Sequence, residues 1–330
     1  DATSATDFKM NSTAEDARCG RDYMSGAAVY FDGDMAHVHY IDGTQYAASD
    51  FGSTDATSGI WVPNSAPSVT YGNNGGFYKF KSGALGTDSS GNGNNMTVSG
   101  TMTPTKDNAM NNFCTLNPLW YGGALSDGNT TLTTTATSHT AQGTVGMESG
   151  KFYWEIKVSD SSGTFGICEN GVSPVGDLDD NFPNYVATNS GSTTWTVYNN
   201  PTSGGNSSTF TGTAVAATNV ISMAYDADNG ALYLGLNGVW QNSGDPTSGA
   251  SATGAIVSGI TIRNGGTFVP VQGSSTASSR TFNYNFGNGY FGTTVISSAG
   301  TSSTDDDSIW EYDCPTGFYG LNTNNLGSYS

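Results

Sequence analysis

The run from Val220 to Trp240, VISMAYDADNGALYLGLNGVW, constrains the fold most: two stretches of alternating apolar residues flank an Asp/Asn/Gly cluster. Successive strand side chains point to opposite faces, so Ile221, Met223 and Tyr225 share one side of the first stretch, and Leu232, Leu234 and Leu236 one side of the second. Asp226-Ala227-Asp228-Asn229-Gly230 supplies residues that tolerate positive φ, so the stretches are expected to fold back as a hairpin of a β-sandwich.

The same alternation recurs. In Lys151 to Val158, Phe152, Trp154, Ile156 and Val158 fall on one face and Lys151, Tyr153, Glu155 and Lys157 on the other, which reads as a half-buried strand. Phe282, Tyr284 and Phe286 alternate with Asn283 and Asn285, and further runs lie at Thr194 to Tyr198 and Phe268 to Val271. No sustained 3.6-residue apolar period is visible, and with 45 glycines and 12% charged residues the composition suits short strands joined by polar turns. The expected class is all-β, an antiparallel jelly-roll sandwich. A body of 330 residues buries roughly 75% of its unfolded surface and needs no staples.

Four regions separate along the chain. Residues 1–50 form an N-terminal β segment, in which Ala27 to Gly43 reads as two strands about an Asp-Gly turn. Residues 51–74, containing FGSTDATSGIWVPN, read as a connector pinned by Trp61. The strand-rich body is expected over 75–294, opening with Phe77-Tyr78-Lys79-Phe80, and residues 295–330 form a polar tail with the apolar patch Ile309-Trp310-Glu311-Tyr312, expected to lie back on the body.

The 28 acidic and 10 basic residues give a formal net charge of -18, which repels a phosphate backbone and argues against nucleic acid. Cys19, Cys114, Cys168 and Cys314 are too dispersed for a zinc ribbon; Cys168 reads as a small core residue, and a single disulfide among the others stays open. No stretch approaches the roughly 18 apolar residues of a membrane span. The opening DATSATDFKM lacks a signal-peptide pattern, so the chain reads as soluble and as a processed or truncated piece of something longer.

Five motifs in order, SGKFYWEIKV, TFGIC, VISMAYDADNGALYLGLNGVW, FVPV and FNYNFG, resemble the SPRY (B30.2) domain over roughly Ser149 to Gly292. That resemblance implies two antiparallel sheets of the concanavalin-like group, with recognition on loops at one end. YFDGDMAHVHYIDGTQY resembles the closing strand of a laminin-G module, and LGTDSSGNGNNMTVSG an opening strand with its turn. The combination is similar to virion appendage proteins of tailed phages from aquatic bacteria. It implies a virion, extracellular location, other virion proteins and further copies of the chain as partners, a trimer first, and a host-surface glycan or protein as ligand.

Concanavalin-like folds also host glucanases, whose strand carries ExDxxE with two carboxylates on one face. Here the best acidic strand reads Glu155-Ile156-Lys157-Val158-Ser159-Asp160, with Lys157 where a carboxylate should stand, so no enzyme is expected. His37 and His39, one residue apart on a strand, would face one side, but two ligands are too few for a metal and packing is favoured. Calcium is the one cofactor considered: Asp177, Asp179 and Asp180 lie in the long loop Glu169 to Ser192 and offer carboxylate oxygens. Asp226 to Gly230 is better explained as a hairpin turn and Asp305 to Asp307 as a solvated loop. The candidate ligand-binding residues are the aromatics Phe182, Tyr185, Trp195 and Tyr198, whose rings could stack on a sugar. The opposing reading puts Trp195 and Tyr198 in a strand, where, three apart, they cannot both face inward.

The expected function is therefore a non-enzymatic phage virion structural protein, a tail- or head-fibre component recognising the host surface. The alternatives are a capsid decoration or spike with no ligand and, more distantly, a secreted lectin or polysaccharide-degrading enzyme.

Overall fold

Alternation of apolar and polar residues builds nearly everything in this protein from antiparallel strands. The computed structural model describes residues 18–330 except 25–26, 32–34, 55, 57–60, 82, 101, 103, 105, 108–110, 135–138, 171–183, 201–205, 263–265, 275–278, 297–298, 302–307 and 330. The chain divides into two units, Asp1–Pro104 and Thr105–Ser330.

The first unit contains β1 (Arg21–Met24), β2 (Ala27–Tyr30), β3 (Val38–Tyr40), β4 (Gly52–Thr54), β5 (Trp61–Pro63) and β6 (Gly76–Tyr78). They form three two-stranded ribbons, β1 with β2, β3 with β6 and β4 with β5. The two strands read in Ala27 to Gly43 therefore exist but do not pair with each other: each finds a partner elsewhere, and Asp32, Gly33 and Asp34 lie outside the described residues. The connector forms the β4–β5 ribbon. Phe77 pairs with His39 in this unit, so the Phe77-Tyr78-Lys79-Phe80 run does not open the sandwich.

The second unit is the sandwich. Its strands are β7 (Leu116–Tyr121), β8 (Ala124–Ser126), β9 (Thr131–Thr134), β10 (His139–Gly143), β11 (Lys151–Val158), β12 (Ser162–Glu169), β13 (Asn184–Ser190) and β14 (Thr194–Asn200). They continue with β15 (Asn206–Thr211), β16 (Val220–Asp226), β17 (Ala231–Leu236), β18 (Val239–Trp240), β19 (Phe268–Ser274), β20 (Arg280–Asn285), β21 (Tyr290–Phe291), β22 (Thr294–Val295) and β23 (Tyr319–Gly320). A short helix, α1 (Thr323–Tyr329), follows. One sheet has seven strands in the order β15-β14-β13-β12-β19-β10-β7; the other runs β18-β17-β16-β11-β20-β9-β8, with β23 added beside β11 as its eighth. Neighbours are antiparallel except β23 on β11.

The opening hairpin is β16–β17, in the register Ile221↔Leu236, Met223↔Leu234 and Tyr225↔Leu232. These residues, with Phe152, Trp154 and Ile156 of β11, face Phe165 and Ile167 of β12, Ala187 of β13 and Trp195 of β14 in one core. In the turn, Gly230 has φ +61 and the Asn229 N–H donates to Asp226 Oδ1 at 3.0 Å, the backbone geometry that Asn and Gly supply.

The outer faces are covered too, which the half-buried reading of β11 did not anticipate. Tyr153 and Glu155 are fully buried, because a C-terminal strap, Ser308 to Leu321, lies across that face. Trp310, Cys314 and Phe318 of the strap pack with Tyr153, Ala224, Ala231 and Tyr233. Trp310 meets Tyr153 edge-on with centroids 4.8 Å apart. At the end of the strap, the Cys114 N–H donates to the Leu321 carbonyl at 2.7 Å, tying it to the start of the unit. On the outer side of the seven-stranded sheet, Cys168, Val186, Val269 and Val271 form a second buried cluster with Tyr198 against it. All four cysteines are free thiols.

No helix among the described residues is long and apolar enough to cross a membrane.

Candidate functional site

The sequence KFYWEIKV sends Phe152, Trp154 and Ile156 into the core and leaves Tyr153 and Glu155 on the opposite side of β11. There Glu155 stands opposite Ser222 of β16 and Asn285 of β20, so three polar residues meet on one sheet face. Four donors fill the carboxylate. Tyr153 Oη and the Tyr312 N–H reach Oε1 at 3.0 and 2.8 Å, while Asn285 Nδ2 and the Glu311 N–H reach Oε2 at 3.0 and 2.9 Å. Two carboxylate oxygens offer about four lone-pair sites, all taken here by the chain's own groups.

The neighbours extend the network. Tyr153 Oη lies 3.0 Å from Ser222 Oγ, and Asn285 Nδ2 also donates to the Ile309 carbonyl at 2.8 Å. Asn285 Oδ1 accepts the Gly287 and Gly289 N–H groups at 3.0 and 3.1 Å, which fixes the turn leaving β20. Burial pushes the Glu155 carboxyl up to about 7, against the downward pull of the Glu311 and Tyr312 amides, Asn285 and Tyr153. Burial, then the charge of Glu155, pushes the Tyr153 phenol well above its ordinary range.

A raised carboxyl in a closed site invites a catalytic reading, but glycoside hydrolysis needs a second carboxylate across an open gap. None of Glu155's four partners is a carboxylate, and two are backbone amides of the strap. Lys157, two residues along the same face, places its ammonium 5.6 Å from the Phe291 ring centroid. The arrangement fastens the strap to the sheet.

Asp226 has a similar fate. Its carboxylate accepts the Asn229 N–H at 3.0 Å, Asn229 Nδ2 at 2.8 Å and Lys151 Nζ at 3.0 Å, while Asp228 Oδ1 takes the Gly150 N–H at 2.7 Å. The segment works as a hairpin turn. Asp177, Asp179, Asp180, Phe182 and Asp305 to Asp307 lie outside the described residues. Among the described residues no group of three or more His, Cys, Asp or Glu side chains is placed to hold a metal ion.

The aromatic candidates on strands need correction. Trp195 is 0% exposed: its ring stacks on Phe210 with centroids 5.9 Å apart, and its Nε1 donates to the Thr213 carbonyl at 3.0 Å. Tyr185 is buried edge-on against Phe268. Neither presents a ring to a ligand, because the register of β13 and β14 turns both inward. Tyr198, three residues from Trp195, lies on the opposite face against the Cys168 cluster. Sequence reasoning missed Glu155 and Asn285 as a pair; the available signal was a polar residue on each of two strands, opposite the core-facing Phe152, Trp154 and Ile156 in one and Phe282 and Tyr284 in the other.

Among the described residues, the large exposed apolar side chains of the sandwich are Leu119, Val239 and Val295, with Leu119 at 86%. Leu119 sits on β7, an edge strand. The Leu119 N–H is taken by Asn117 Oδ1 at 2.9 Å, so this donor is not offered to another strand and the edge is blunted there.

No family model matches the sequence, and a comparison with curated proteins finds no relative. Among solved structures the chain is similar to the TRIM65 PSpry domain, at 15% identity and a TM-score of 0.39, over 52% of this chain and 91% of that one. It is also similar to the SPRY domain of human HERC1, at 13% identity and a TM-score of 0.39, over 51% of this chain and 96% of that one.

Proposed function

We propose that the chain is a non-enzymatic structural and recognition protein of a phage particle, a tail-fibre or head-fibre component whose sandwich contacts a host-surface glycan or protein. The observation that carries this reading is how the buried carboxylates are used. Among the described residues of the sandwich these are Glu155 and Asp226. Both are bonded to the chain's own groups, so neither of these two carboxylates stands free as a nucleophile or general acid. The laminin-G-like and SPRY-like segments in the sequence support the virion context. The net charge of -18 disfavours nucleic acid as the partner, and symmetric copies of the chain would multiply weak contacts with a host surface.

Mass spectrometry and immunogold imaging of purified particles test the assignment, together with binding of the isolated chain to host envelope fractions. Expected are a fixed copy number, label on a tail or head fibre, and saturable binding. Absence from particles, or release of sugar products from polysaccharide by the purified chain, would overturn the reading.

The exposed Leu119, Val239 and Val295 favour a second reading, a capsid decoration whose contacts are neighbouring subunits. With the β7 edge blunted, such contacts would run through side chains. Label spread over the capsid lattice, with no binding to any host fraction, would select it.

A further inference from the structure

In the first unit several basic groups converge on one aromatic ring. His39 stacks on its register partner Phe77 with centroids 4.0 Å apart, lies 4.9 Å from Phe51, and places Nδ1 2.9 Å from Tyr71 Oη. His37 meets the same Phe77 ring edge-on at 5.4 Å. It holds a left-handed backbone, φ +52, and its Nδ1 is buried with no hydrogen-bond partner among the described residues. Lys79 sets its ammonium 4.9 Å from the Phe77 centroid while donating to the Ser65 carbonyl at 2.8 Å.

Among the described residues, three carboxylates of this unit are engaged elsewhere. Asp88 accepts the Phe77 N–H, the N–H and hydroxyl of Ser90, and the Asn94 N–H. Asp42 accepts the backbone and side-chain N–H groups of Asn74, and Asp50 the Ala47 N–H. Tyr71 and Tyr78 are neutral, since burial and then Asp88 raise both phenols. No carboxylate of this set pairs with an imidazole.

We propose that His37 and His39 form an acid-responsive switch in the N-terminal unit: when both imidazoles take up protons, they and Lys79 gather three positive charges around Phe77, and β3 parts from β6.

The energetics run in that direction. Burial, then the positive charges of His37 and Lys79, hold His39 down at about 4, and burial, Lys79 and Lys81 lower His37. A histidine freed by unfolding titrates near 6.5. The folded form thus binds protons more weakly than the open form. Its stability is full above about 6.5 and is lost as pH falls toward about 4. Asp88 stays charged through that window: burial raises its carboxyl, but the hydrogen bonds from Phe77, Ser90 and Asn94 outweigh burial and leave it below the ordinary range.

Hydrogen exchange of the full chain, with labelling times corrected for intrinsic rates, tests this between pH 7.5 and 4.5. The amides of residues 38–40 and 76–78 should lose protection by about tenfold or more on acidification, while β11 and β16 keep theirs. The double variant His37→Asn, His39→Gln should hold its protection throughout, since Asn accepts a left-handed backbone and Gln can still bond Tyr71. If the double variant does not fold, imidazole titration of the wild-type chain by NMR decides instead, with both signals expected to titrate below the ordinary histidine range and that of His39 at about 4. Unchanged protection of these amides in the wild type, the same loss in a folded double variant, or imidazoles titrating at 6.5 or above would overturn the proposal.

Discussion

The backbone N–H of Tyr312 donates to Glu155 Oε1 at 2.8 Å across 157 residues of sequence. Beside it the Glu311 N–H reaches Oε2, so one carboxylate captures two successive amides of the strap. The outer face of β11 is thereby closed by the chain itself.

Replacing Glu155 by Ala leaves both strap amides, Asn285 Nδ2 and Tyr153 Oη without this acceptor. The expected cost is about 3–5 kcal/mol, because each buried donor left unmade costs about 1–3 kcal/mol and partial relaxation recovers some of the sum. Tyr153→Phe, which removes one donor and leaves Oε1 with the Tyr312 amide, should cost only about 1 kcal/mol. Urea unfolding of the two variants checks the ratio.

The pH dependence of the sandwich should run opposite to that of the first unit. Burial lifts Glu155 from 4.5 to about 7, so the folded state binds this proton more tightly than the unfolded one. The stability it contributes is present below about 4.5 and is lost as pH rises through about 7. The urea midpoint of the sandwich, followed by near-ultraviolet circular dichroism, should therefore fall between pH 5 and pH 8. Glu155→Gln should flatten that slope.

Trp195→Ala should act as a core deletion, costing about 3–5 kcal/mol. Thermal unfolding would show this whether or not a ligand is present. A variant of unchanged stability would place the ring outside the core and contradict its stacking on Phe210 and its tilted approach to Phe165.

Much of this fold can be read from the sequence where alternation is strong and partners are near. The β16–β17 hairpin follows from its own residues, because the turn and both apolar faces lie within one short span. The inward turn of Trp195 was also legible: Trp195 and Val197 alternate with Thr194 and Thr196, a strand signal that outweighs the ring's suitability for stacking on a sugar. The covering of Glu155 was not legible. Its partners lie 130, 156 and 157 residues away, and alternation specifies which side a residue faces without specifying what covers that side. The Phe77-Tyr78 run shows the same limit, since it announces a strand but not that its partner is His39 in the first unit.

Gly230→Ala tests the hairpin turn. The residue has φ +61, and an added Cβ would collide with the Ile260 carbonyl oxygen, while its own carbonyl accepts the Ile260 N–H at 3.0 Å. A side chain there requires both an unfavourable backbone and displacement of a hydrogen-bonded segment. The expected loss is about 2–3 kcal/mol, measured by chemical denaturation against Gly249→Ala, where φ is also positive but the space is open.

The most direct test of the account is the exchange rate of the Glu311 and Tyr312 amides in the wild type and in Glu155→Gln, read at single-residue resolution. If Glu155 is a latch, both amides exchange as slowly as those of β11 in the wild type, and in the variant they speed up by about tenfold or more while β16 stays protected. Rapid exchange of both amides in the wild type, or rates that do not respond to the substitution, would mean that the strap is not held by this carboxylate.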